Sequence, residues 1–149
     1  MDLPNDTAHT VPIVSVLALM MLIAPQWFAR HQPAIESTAA SIERAAPDAQ
    51  TRALLLAIDY HETSWHTARG RFAPFGVMAS LRRTMTEDEI TALALRYLAM
   101  GRQRCRSSLG MLGFYHYGRC RVRTFERREL QTWRRFERLL THGEPARHR

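Results

Sequence analysis

The most apolar run with helical spacing is residues 53–58, Ala-Leu-Leu-Leu-Ala-Ile, followed at once by Asp59, Tyr60, His61 and Glu62. Leu54, Leu55 and Ile58 repeat at helical spacing, and Leu56 and Ala57 widen the apolar face. A helix this apolar is expected to be buried nearly all round. The pattern predicts a central helix over residues 49–61, with Asp48 as its N-cap and Pro47 closing the helix before it. That preceding helix is read over residues 30–46, with Ile35, Ala39, Ile42 and Ala46 as its stripe. Thr86 and Glu89 form a capping box. Ile90, Leu93, Ala94, Tyr97 and Leu98 then mark a helix that Gly101 ends. A short helix is expected over 107–115. The last spans 124–140, its apolar positions being Phe125, Leu130, Trp133, Phe136, Leu139 and Leu140, with Arg and Glu in the rest. Residues 63–74 read as loop, and 75–81 as a strand-like turn or one helical turn. The fold class expected is all-α, five to seven helices with little or no sheet.

Residues 11–28 are nearly all apolar, interrupted by Pro12 and Pro25. Three readings fit: a buried domain helix, a membrane anchor, or an atypical export signal. The first is preferred and the anchor is second, because the run is shorter than the ~20 residues a spanning helix needs unless it continues past Pro25. An export signal would want a positive start, and this one carries Asp2 and Asp6. The expected organisation is an N-terminal pair of helices over 1–48, a core domain over 49–140 and a disordered polar tail over 141–149.

The formal charge is +7, and all 21 basic residues are Arg. Thirteen of them lie from Arg102 onward. A basic surface suits an anionic partner, though a solvated cationic face is the plainer account of any one Arg. Cys105 and Cys120 fit one disulfide in an oxidising compartment or two buried thiols, and the bridge is preferred. Closing about 15 residues would contribute about 3 kcal/mol.

Glu62 is the candidate for chemistry. A carboxylate at the end of a core helix is expensive unless something uses or satisfies it. Desolvation there would raise its pKa toward that of a general acid. The bland alternative is a solvated edge carboxylate. A zinc-protease helix is not supported, because His61 and His66 are five apart and that motif needs four. No metal or cofactor is expected.

With residues 57–65 in view, the segment ending at Glu62, Thr63, Ser64 and Trp65 resembles the catalytic helix of the lysozyme-like soluble lytic transglycosylases. Two later stretches keep that family's order. Phe75, Gly76, Val77 and Met78 resemble its Gly-Leu-Met-Gln turn. Gly113, Phe114, Tyr115, His116, Tyr117 and Gly118 resemble its Ala-Tyr-Asn-Ala-Gly helix. The likeness covers roughly residues 50–120. It departs at Ala79 for Gln, His116 for Asn and Thr63 for Ser.

The resemblance implies a lysozyme-like helical domain with a cleft. Glu62 would be the single general acid and base on the MurNAc–GlcNAc bond of peptidoglycan, helped by the substrate's own acetamido group. Thr63, Phe75, Gly76, Met78, Tyr115 and His116 would line the sugar cleft, with Tyr115 bonding near Glu62 and His116 taking the place of the Asn. Trp65 could stack on a sugar. Asp59, one turn back, reads as structural. Glu87, Asp88 and Glu89 are candidates for a second carboxylate, although capping already explains Glu89. The partners implied are glycan strands, in a cell envelope, periplasm or phage particle; membrane association through residues 11–28 belongs to the anchor reading of that run. The competing class is a non-catalytic basic helical module for nucleic acid or an anionic surface, resting on Arg102, Arg104, Arg106, Arg119, Arg121 and Arg123.

Overall fold

The computed structural model describes residues 25–66, 74–76 and 84–142. They form five α-helices: α1 (Pro25–Ala45), α2 (Ala49–His66), α3 (Glu87–Arg104), α4 (Ser108–Tyr117) and α5 (Thr124–His142), with a 3-10 turn at Pro74–Gly76. Among the described residues there is no strand, so the all-α expectation holds. Residues 11–24, Met78 and the tail from 143 lie outside the described residues. Within the described residues no helix is long and apolar enough to cross a membrane.

The local chemistry explains the boundaries. α1 is described from Pro25, whose fixed φ and missing N–H suit a first helical turn. Asp48 caps α2, its carboxylate accepting from Thr51 N at 2.7 Å. Arg52 satisfies the end of α1: its Nε donates to Ala46 O at 2.7 Å and its guanidinium pairs with Glu43 at 3.1 Å. Thr86 and Glu89 make both halves of the capping box on α3. Ser107 caps α4, and Gly118 ends it. Two expectations need correcting. α3 does not end at Gly101, which lies buried inside it, but runs on to Arg104. α2 continues to His66, so Glu62 lies inside the helix and residues 63–66 belong to it rather than to a loop.

The core is built around α2. Ala53, Leu54, Leu55, Leu56, Ala57 and Ile58 are all buried, as the all-round apolar run requires. Ile42 from α1, Ile90 and Leu98 from α3, Met111 and Leu112 from α4, and Trp133, Phe136 and Leu140 from α5 join them in one cluster. Burying a side chain of this size contributes about 1.5–3 kcal/mol. Two hydrogen bonds fix α5 along α2: Trp133 Nε1 to Gln50 O at 3.1 Å, and His61 to Thr132 at 2.7 Å. The α3–α4 and α4–α5 links are joined by the disulfide Cys105–Cys120, with Cα atoms 5.6 Å apart. Gly113 lets the second link pass close, because a Cβ there would overlap the carbonyl of Arg121.

A candidate acid site at the meeting of α2, α4 and α5

Four stretches distant in sequence meet at Glu62. α4 presents His116, whose Nδ1 donates to Glu62 Oε1 at 3.0 Å. The other ring nitrogen, Nε2, donates to Glu129 Oε2 on α5 at 2.8 Å. Both partners are carboxylates, which accept only, so the ring is an imidazolium carrying both protons. Burial works against that charge, but the bonds to Glu129 and Glu62 prevail and hold the His116 pKa at about 10. The expectation put Glu62 at the end of a core helix, where something must use or satisfy the carboxylate, and His116 is such a partner.

Behind His116 the charges are deeper. Glu129 is fully buried, and burial pushes its pKa up against the pull of His116. Its second oxygen, Oε1, has no hydrogen-bond partner. Glu126 is also fully buried. One of its oxygens accepts from Arg123 N at 2.5 Å and the other has no partner. Such orphaned acceptors cost about 1–3 kcal/mol each, more when charged.

The fourth stretch is the turn at Phe75 and Gly76. Phe75 adopts φ 54°, a left-handed conformation that costs a non-glycine residue about 1–3 kcal/mol. Three contacts hold it. Its ring is buried. Its N–H donates to Asp59 Oδ1 at 3.2 Å, and its carbonyl accepts from the Tyr115 hydroxyl at 2.7 Å. Gly76 follows at φ 69°, and a Cβ there would lie 2.6 Å from Glu62 Oε2. Only glycine therefore lets the turn press against the carboxylate. Asp59 is structural as expected, with a cost: burial raises its pKa to about 7 despite the Phe75 bond. Burial also pushes the Tyr115 phenol well above 10, so it is a neutral donor.

His61 plays a separate part. Thr132 donates its own hydrogen to Arg128 O at 3.1 Å, so it accepts from His61 Nε2. Burial lowers the His61 pKa to about 4, leaving a neutral ring that ties α2 to α5.

Of the predicted site residues, Glu62, Phe75, Gly76, Tyr115 and His116 come together. Tyr115 reaches the site through Phe75, to which its hydrogen is given. Thr63 continues α2. Glu87, Asp88 and Glu89 open α3, and Glu89 and Asp88 are engaged there with Thr86 and Arg44. The residues missed were Glu126 and Glu129, left among the Arg and Glu positions outside the apolar set of α5. A signal was present: residues 126, 129, 133, 136 and 140 follow one another at steps of three and four, so both carboxylates share the stripe of Trp133, Phe136 and Leu140. Among the described residues no group of three or more His, Cys, Asp or Glu could hold a metal ion.

No family model, curated protein or solved structure matches this chain.

Proposed function

We propose that the protein is a peptidoglycan glycosidase, of lytic transglycosylase or lysozyme type, in which Glu62 is the general acid and base at the MurNAc–GlcNAc bond. One observation carries the reading. The three pieces of the family resemblance come together: His116 bonds Glu62, the Tyr115 hydroxyl bonds Phe75 O, and Gly76 packs against the Glu62 carboxylate. The strained Phe75 supports it too, because strain of that kind gathers at working sites.

The chemistry follows from the proton inventory. The departing sugar oxygen must receive a proton. At rest the proton shared by Glu62 and His116 is on the imidazole. The Glu62 side chain is 16% exposed, and a glycan covering it would remove its remaining water. That desolvation favours the neutral pair, with the proton moved from Nδ1 to Glu62. Glu62 then protonates the glycosidic oxygen as the bond to the anomeric carbon breaks. The resulting carboxylate takes a proton from the attacking water or sugar hydroxyl, and His116 recovers its charge. Glu129 keeps the imidazole oriented throughout by accepting from Nε2. The resemblance implies that the substrate's acetamido group replaces a second carboxylate, giving an anhydro sugar.

The test is release of soluble fragments from purified peptidoglycan. Glu62→Gln is expected to lose about 10²–10⁴-fold in rate, the usual contribution of a positioned acid. Equal rates, or none from either protein, would reject the enzyme reading. The mass of the new sugar end separates an anhydro product from hydrolysis.

A further inference from the structure

The segment from Gly101 to Phe125 holds six arginines and no Asp or Glu. Arg102, Arg104 and Arg106 run from the last turn of α3 into its link with α4. Arg119, Arg121 and Arg123 occupy the α4–α5 link. All six are exposed, and none makes a salt bridge among the described residues. The disulfide fastens the two links side by side. Arg104 stacks over Phe114 at 5.4 Å and Arg123 over Tyr117 at 4.8 Å. Stacking orders each guanidinium plane.

A second feature coincides with the first. The large hydrophobic side chains exposed among the described residues are Tyr97, Met100, Tyr117 and Val122. Met100 stands one turn before Arg104 on α3. Val122 lies between Arg121 and Arg123, and Tyr117 is the ring beneath Arg123. Phosphates alone would explain the arginines. They give no reason for an exposed aliphatic residue in the link. A bilayer surface explains both, since guanidinium groups meet lipid phosphates while Tyr and aliphatic side chains enter the interface.

The geometry points to this disulfide-stapled arginine face as a docking surface for a membrane rich in anionic phospholipid. It is independent of the glycosidase reading and of residues 11–28. The guanidinium forks take headgroup phosphates, and Val122 and Tyr117 enter the headgroup layer.

The experiment is co-flotation of the full chain with phosphatidylglycerol–phosphatidylcholine vesicles, against phosphatidylcholine alone, at low and high salt. Binding is expected only with phosphatidylglycerol, and should fall as salt rises. Each arginine near such a surface is worth about fivefold in affinity, so Arg119→Gln with Arg121→Gln should weaken binding roughly 25-fold. Val122→Asp should also weaken it, with the helical circular dichroism unchanged. Equal binding to phosphatidylcholine overturns the proposal. So does binding that ignores both variants, which would place the contact elsewhere in the chain. Tighter binding to duplex DNA than to the anionic vesicles, lost in the same variants, would make this a nucleic-acid face and overturn the lipid assignment.

Discussion

The α1–α3 seam and the α2–α4–α5 seam both carry polar side chains, and they treat them in opposite ways. Between α1 and α3, Ser41 bonds Asp88 at 2.7 Å and Thr91 at 2.8 Å, while Thr91 also donates to Glu87 O. The charges there, Arg44 and Asp88, are exposed. On α1 the Thr38 hydroxyl is buried with no partner among the described residues. Between α2, α4 and α5, the carboxylates of Glu62 and Glu129 flank one imidazolium, Glu126 lies near Glu129, and Glu126 and Glu129 are fully buried with an orphaned oxygen each. The first seam is what two packed helices need. The second is an arrangement that apolar residues of the same volume would often match or better in stability. A fold that keeps it is tolerating cost at one place, which is why the charges support a working site there.

The largest effect should come from unbalancing the second seam. His116→Leu leaves the buried Glu129 without its cation, and breaking such a pair costs about 3–5 kcal/mol. Denaturant unfolding would read this as a lower midpoint. His116→Leu combined with Glu129→Leu should recover much of the loss. If the double variant is as unstable as the single one, the penalty lies in packing rather than charge.

The same seam sets the response to alkali. The His116 pKa is raised in the fold from 6.5 to about 10. A raised pKa means that the folded state holds the proton more tightly. Its stabilisation is therefore complete below 6.5 and is lost as pH climbs toward about 10. Asp59, raised from 3.8 to about 7, acts in the same direction lower down, and its loss is complete above that point. The fall in melting temperature from about 7 to about 10 thus reports the His116–Glu129 pair. It should flatten in the double leucine variant, while a slope that persists there would assign the effect to another group.

The two seams also differed in how far the sequence revealed them. At the first, local rules sufficed: Thr86 and Glu89 lie at capping distance, and Ile90, Ala94 and Leu98 are buried as their spacing requires. Tyr97 on the same stripe is exposed, because an apolar stripe is wider than the neighbour that covers it. At the second, Glu62, the Phe75–Gly76 turn and Tyr115–His116 were legible through a resemblance in order. Their partner was not. Glu129 was left among the non-apolar remainder of the helix by its residue type, although its register placed it with Trp133 and Phe136. Periodicity was the better guide, since burial follows position on the helix and a charged side chain can be carried inside when another charge meets it. The left-handed Phe75 was invisible for a different reason: nothing local favours it, and the contacts that hold it come from Asp59 and Tyr115.

Gly76→Ala probes the contact of turn and carboxylate. A side chain at φ 69° costs about 1–2 kcal/mol. The new Cβ, 2.6 Å from Glu62 Oε2, must also displace that carboxylate or move the turn. The expected result is a modest drop in melting temperature with a disproportionate loss of peptidoglycan cleavage. Activity that merely follows stability would separate Gly76 from the chemistry.

The smallest effect belongs to the first seam. Thr86→Ala removes the acceptor for Glu89 N while Glu89 can still reach the Thr86 backbone N–H. Loss of a cap of this kind costs about 1 kcal/mol. The whole cost should appear as a lower denaturant midpoint with cleavage unchanged, because α3 supplies none of the groups bonded at Glu62 among the described residues and meets the site by packing on α4 and the turn, with Tyr97 against Tyr115 at 6.5 Å between ring centres. A cleavage rate that fell with Thr86→Ala as steeply as with Gly76→Ala would mean that the two seams are coupled through α3, and the division between a folding seam and a working one would have to be withdrawn.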